Sequence, residues 1–261
     1  MIDIKEYNQH MQEKGWYIFD EFVPKDLIQR MLKDTEEAYI TCRTVQEQNG
    51  IPENNEGTTH HLVEHGQSFI DYLTLSEQLN PYLENYFAGK YILNSFGGNK
   101  NQVGVISYAN NIHRDIRSYS GDMPLLLNTL VMLDDFTKDN GATYLMTGSH
   151  RTHPTAPTEE EFHQVAEQAV GKAGSVLTFN SNLWHRAGIN ITNLQRRSVT
   201  PMYCKPFMKQ QYDYTRALGY AKVAGYSEWL KQVLGYKARV PASLSEWYQP
   251  KENRMYQADQ G

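Results

Sequence analysis

Only two cysteines, Cys42 and Cys204, occur in the 261 residues, and they form no CxxC pair. Neither a disulfide framework nor a cysteine-built structural zinc site is indicated. No apolar run approaches the ~20 residues that a membrane span requires. The opening MIDIKEYNQHMQEKGW is polar and lacks the apolar core of a secretory signal. Positive charge is not in surplus either. Lys and Arg total 25 against 30 Asp and Glu, a formal charge of -5, which argues against the broad phosphate-binding surface of a nucleic-acid partner. Internal repeats, low-complexity tracts and a convincing linker are likewise missing. Hydrophobic residues at 40% and charged residues at 21% are instead the proportions of a folded chain. The expectation is a cytoplasmic enzyme or binding protein with no nucleic-acid or membrane partner.

Residues 1–93 read as helical support with one strand and one long loop. GWYIFDEF (Gly15–Phe22) is rich in strand formers. After it, Pro24 suits a first helical turn, and Leu27, Ile28, Met31 and Leu32 recur at helical spacing. Thr44 to Gly66 turns polar and predicts a long loop, of the kind that is functional or mobile within compact domains. Over 94–206 the pattern becomes β. NQVGVISYAN, LLLNTLVMLDDF, ATYLMTG, GSVLTFNSNLWH and RRSVTPMYC are short runs of strand formers separated by turn residues, with Asn140-Gly141 as one tight turn. TEEEFHQVAEQAV is the one helical insert. Residues 207–261 form an aromatic, lysine-rich tail that predicts helices packed on the core. One domain, 1–261, is expected: mainly β with flanking helices around a jelly-roll core.

NNIHRDIRSYSGD places His113 and Asp115 two residues apart. On a strand or its end, the period of two puts both on one face and Arg114 on the other. An imidazole and a carboxylate aimed together can hold a divalent metal, but two ligands are too few. His185, in SNLWHRAG after an apolar strand, offers the third. Two histidines and one carboxylate on one face of an octahedron leave three positions open, which suits Fe(II) chemistry with oxygen. His60, His61, His65, His150 and His153 lie in polar stretches and read as solvated, or, for His150, as support of a turn.

The segments HRD, LDDFTKDNGATYLMTGSHR and GSVLTFNSNLWHRAGINITNLQRRSV, in that order, resemble the phytanoyl-CoA dioxygenase family of Fe(II)/2-oxoglutarate-dependent oxygenases. GWYIFDEFVPKDLIQRML is similar to the family's opening strand and helix. The resemblance covers Tyr108 to Tyr203 and leaves out the middle loop and the tail. It implies a double-stranded β-helix core, Fe(II) held by His113, Asp115 and His185, and 2-oxoglutarate and dioxygen as cosubstrates. It also implies that Arg196, eleven residues after His185, grips the distal carboxylate of 2-oxoglutarate through its planar donor fork. Arg197 should then face outward. Tyr108 and Thr129, expected on neighbouring strands, are further candidates for cosubstrate contact. Ala187 departs from the small hydroxyl residue that many relatives carry there. The implied outcome is hydroxylation of an unactivated C–H bond with release of succinate and carbon dioxide. Asp115 argues against halogenation, for which related enzymes need a small residue at this position. A cupin-like metalloenzyme independent of 2-oxoglutarate and a non-catalytic jelly-roll binding module remain open.

Overall fold

The computed structural model describes residues 2–51 and 57–260. Helix α1 (Ile4–Glu13) starts at Asp3, whose carboxylate accepts the Lys5 amide at 2.8 Å and satisfies one orphan donor of the first turn. Its spacing of four buries Tyr7 and Met11 on one face. Strand β1 (Trp16–Phe19) follows. Helix α2 (Lys25–Gln48) has Pro24 at its N-cap and turns Leu27, Ile28, Met31, Thr35 and Ala38 inward as one stripe. The expected loop from Thr44 is therefore helical as far as Gln48. It then passes outside the described residues at 52–56 and returns as β2 (Thr58–Thr59). Helices α3 (Gln67–Leu75) and α4 (Asn80–Phe87) complete the N-terminal layer.

The remaining strands are β3 (Ile92–Asn101), β4 (Leu126–Met132), β5 (Tyr144–Met146), β6 (Ala166–Gln168), β7 (Val176–Asn180), β8 (His185–Arg186) and β9 (Arg196–Cys204). They form two antiparallel sheets, a large one in the order β1-β7-β4-β9-β3-β2 and a small one in the order β6-β5-β8. This is the expected double-stranded β-helix with flanking helices. The core does not start at Asn94, however. β3 begins at Ile92, and the N-terminal third contributes β1 and β2 to the large sheet. The stretch from Gln102 to Asn110 is not a strand; it ends in a 3-10 turn at Tyr108–Asn110, capped by Ser107.

Every residue of β4 is buried, because the large sheet is covered on both faces. Leu127 and Val131 face the helical layer, packed in one cluster with Met31, Phe69 and Leu73. Leu130 and Met132 pack instead with Leu145 and Phe179 between the sheets. That alternation decides which side chains can reach the space between the sheets. Short helices α5 (Ser149–Thr152) and α6 (Glu159–Val165) sit within the β region. The helical insert is shorter than expected, since its last residues form β6. The tail adds α7 (Tyr214–Leu218), α8 (Tyr220–Ala224) and α9 (Glu228–Val233), of which Leu230 and Val233 join the helical-layer cluster.

The Asn140-Gly141 turn shows why glycine is needed at that point. Gly141 has φ +81°, and a Cβ there would stand 2.5 Å from both the Asn101 side-chain amide and the Gly188 carbonyl. Gly141→Ala is expected to lower stability by more than the ~1 kcal/mol of a simple glycine replacement, because it combines a left-handed backbone with a clash. A thermal melt matching the parent would refute this.

Candidate metal centre and cosubstrate cavity

His113 and His185 come together through their backbones. Each donates its amide to the other's carbonyl at 2.9 Å, a single antiparallel bridge rather than a continuous strand through NIHRDI. The pairing sets the two rings side by side, centroids 4.3 Å apart. His113 Nδ1 lies 2.8 Å from the Asn111 carbonyl and His185 Nδ1 3.0 Å from the Leu183 carbonyl. A carbonyl only accepts, so both Nδ1 atoms carry the proton and both Nε2 lone pairs are free. They converge on one carboxylate: His113 Nε2 is 3.7 Å from Asp115 Oδ1 and His185 Nε2 is 3.4 Å from Asp115 Oδ2. Among the described residues this is the one set of three such side chains, with ligand atoms all within 4.8 Å of one another. Cis ligands of an octahedral ion at ~2.1 Å stand ~3 Å apart, so the three atoms fit one divalent ion after a small closure. Burial, reinforced by the neighbouring His113 and opposed by Asp115, pushes His185 down to about 4. Its ring is neutral at physiological pH and competent as a ligand.

One supporting residue escaped the sequence reading. Asn128, on β4, donates its side-chain amide to Asp115 Oδ2 at 2.5 Å, and its own oxygen accepts from the Ser181 hydroxyl at 3.3 Å. The chain Ser181–Asn128–Asp115 fixes the carboxylate without neutralising it. Loss of such outer partners typically costs 10–100-fold in metal affinity. Asn128→Ala is accordingly expected to weaken Fe(II) binding by about one to two decades while the protein stays folded; equal affinity in an anaerobic competition titration would contradict that role.

The metal set opens into a cavity of about 460 Å³, within the usual range for small-molecule sites. Arg196, the first residue of β9, lies on its wall, and Ser198, Thr200 and Met202 follow on the same face. The Arg196 side chain is 2% exposed, its Nε has no hydrogen-bond partner, and its guanidinium lies 4.4 Å from the Phe136 ring centroid. Burial pushes it down to about 10, against the opposing charge of Asp134, so it remains a cation at neutral pH. Asp134 does not pair with it. Arg197 takes that carboxylate in a two-pronged bridge, Nε–Oδ2 2.9 Å and Nη2–Oδ1 2.8 Å, and also stands 3.6 Å from Glu36. The two adjacent arginines thus face opposite ways, one into the cavity and one into surface ion pairs.

One expected cosubstrate contact, Thr129, and one expected strand placement, that of Tyr108, need correction. Thr129 shares the face of β4 that carries Leu127 and Val131. Fully buried, it donates its hydroxyl to the Pro201 carbonyl at 2.7 Å and does not line the cavity. Its neighbours Asn128 and Leu130 line it instead. Tyr108 does line the cavity, but from the 3-10 turn rather than a strand, and its side chain is 52% exposed. Nor are the loop histidines all solvated. His60 and His61 line the cavity beside Thr58, Thr59 and, from the tail, Gln211. His61 stacks on Tyr212 with centroids 4.3 Å apart, and its Nδ1 lies 3.3 Å from the Tyr214 hydroxyl. Burial, with the neighbouring His60, lowers the half-buried His61 imidazole below its ordinary value, while His60 is exposed. His150 is buried in its turn, with Nδ1 unpartnered.

A jelly roll with two histidines, a carboxylate and a buried arginine on the walls of one cavity defines a metal-dependent oxygenase class. The phytanoyl-CoA dioxygenase (PhyH) family model matches residues 11–198, and the chain belongs to that family. Iron, 2-oxoglutarate and dioxygen are the cofactor and cosubstrates that go with this class of site. The chain is similar to the uncharacterised protein Rv1501 of Mycobacterium tuberculosis, 35% identical over 59% of this chain and 56% of that protein. This match thus spans little more than half of the relative's length. The dioxygenase trt7 of Aspergillus terreus is 26% identical over 81% of this chain and 78% of its own. Among solved structures, EctD from S. alaskensis with 2-oxoglutarate and 5-hydroxyectoine superposes with a TM-score of 0.62. It is 18% identical and covers 78% of this chain and 76% of its own, a likeness of fold. No helix among the described residues is long and apolar enough to cross a membrane.

Proposed function

We propose that this chain is an Fe(II)/2-oxoglutarate-dependent oxygenase that hydroxylates an unactivated C–H bond of a small molecule, releasing succinate and carbon dioxide. The observation that carries this reading is a three-residue ligand set and a buried, unpartnered arginine on the walls of one cavity. His113, Asp115 and His185 would hold the iron. A bound iron with 2-oxoglutarate supplies the oxidising power, so the protein's part is positioning and exclusion of water. The Nδ1–carbonyl bonds of both histidines hold each Nε2 towards the metal position, and Asn128 holds Asp115. Arg196 binds the distal carboxylate of 2-oxoglutarate. Phe179, edge-on to His185 at 4.8 Å between centroids, and Leu130 keep that part of the cavity dry. The rim formed by His60, His61, Tyr108 and Gln211 selects the substrate, because loops on a rigid scaffold are where specificity is built.

Arg196 also separates this reading from a cupin-like enzyme without 2-oxoglutarate, which has no need of a buried cation beside the metal set. Residues 1–261 act as one catalytic unit in the reducing cytoplasm, in keeping with two free cysteines. Succinate release from the Fe(II) protein on a panel of candidate substrates tests the proposal. Stimulation by at least one of them, with the matching hydroxylated product, is the expected result. A metal centre that never consumes 2-oxoglutarate, with or without a substrate, would sink it.

A further inference from the structure

Among the described residues, the charged side chains that line the cavity are one acid, Asp115, and three arginines, Arg114, Arg117 and Arg196. The proposed function accounts for two of them, and the present inference rests on that reading. A divalent iron and the Arg196 cation together balance the Asp115 carboxylate and the two carboxylates of 2-oxoglutarate. The loaded centre is then electrically neutral, and the positive charge of Arg114 and Arg117 is left over in the cavity wall.

No ion pair joins either arginine to an acid among the described residues. Arg114 is restrained between the rings of Tyr119 and Trp184, at 5.4 and 5.0 Å from their centroids, with its Nη1 buried and unpartnered. Behind the rim, Glu64 is engaged: its carboxylate accepts the Tyr212 hydroxyl at 2.6 Å, and Tyr212 is the ring on which His61 stacks. His60 and His61 add ring nitrogens to the same cavity wall as hydrogen-bonding groups. Arg117 differs from Arg114 in being exposed and free of an aromatic clamp, and it follows Asp115 by two residues. A permanently charged planar fork on the wall of a cavity, with no acid of its own, selects an oxyanion and repels a cation.

We infer that the primary substrate carries a carboxylate or phosphate group, and that Arg117 binds it so that the C–H bond to be oxidised faces the metal set. His61 and Gln211, on the loop and tail segments that meet at the rim, hydrogen-bond the neutral polar part of the same molecule. Arg114 contributes field rather than contact.

The test uses the anaerobic protein loaded with Fe(II) and 2-oxoglutarate, whose metal-to-ligand absorption band reports loading. If that band never forms, the proposed function fails and the oxyanion site is judged on the Fe(II) protein alone. Methyl phosphate, acetate and uncharged acetamide are titrated calorimetrically at fixed ionic strength. One or both anions are expected to bind at a single saturable site while acetamide does not. Arg117→Ala should weaken that binding at least tenfold and leave the band intact, and Arg117→Lys should recover part of it. Binding of methyl phosphate alone points to a phosphate ester, and of acetate alone to a carboxylic acid. The inference is overturned if neither anion binds, if acetamide binds as well, or if Arg117→Ala changes nothing. It is equally overturned if the anion bleaches the band, which would place it at Arg196.

Discussion

Arg196→Ala is expected to weaken 2-oxoglutarate binding by roughly two to three decades and to leave Fe(II) affinity nearly unchanged. The guanidinium is buried, its Nε lacks a partner, and Asp134 is committed to Arg197. The distal carboxylate of 2-oxoglutarate is the partner proposed for this cation. Removing one member of a buried charge pair costs on the order of 3–5 kcal/mol, since the other is left desolvated and uncompensated, and about 1.4 kcal/mol is tenfold in affinity. The adjacent substitution provides the control. Arg197→Ala breaks the bridge to Asp134 and the contact to Glu36, both partly exposed, so it should cost some stability and little cosubstrate affinity. Titrating 2-oxoglutarate into the anaerobic Fe(II) protein and following its absorption band separates the two. Damage from Arg197→Ala alone would reverse the strand register, and damage from neither would remove the cosubstrate assignment.

The second large effect concerns the ligands. His113→Ala and His185→Ala are each expected to abolish tight Fe(II) binding and with it succinate release, because the remaining pair of ligands is too few to retain the ion. The two variants should differ in their structural side effects. His185 is buried against Phe179, whereas the His113 side chain is about a third exposed. Truncating His185 therefore leaves a cavity and lowers thermal stability more. Unchanged iron content and turnover in both variants would refute the ligand assignment.

Several of these features are properties of the sequence alone. The HxD pair, a histidine after an apolar run and an arginine eleven residues further on are local patterns, and strand alternation correctly set Arg196 and Arg197 on opposite faces. The helix after Pro24 and the strands β4, β7 and β9 follow from residue periodicity in the same way. What alternation lacks is phase. On β4 it separates Asn128 from Thr129 but cannot say which one faces the cavity, and that depends on the helices packed against Leu127 and Val131. Thr129 turned to the Pro201 carbonyl and Asn128 to Asp115 for this reason. Tyr108 was displaced by a similar non-local cause. The Ala187 amide donates to the Ala109 carbonyl at 2.7 Å and Asn110 to the Ala187 carbonyl at 3.3 Å, which ties the 3-10 turn beside His185 and takes it out of strand geometry. The rim is the most distant case. His61 meets Tyr212 and Tyr214 across some 150 residues of chain, and Gln211 lines the same cavity as Asp115. Local patterning was enough to pick out the candidate ligand set because His113 and Asp115 are two residues apart and His185 pairs with His113 in a single antiparallel bridge. The surroundings that choose a substrate came from tertiary packing, which brings together side chains whose separation in sequence carries no signal.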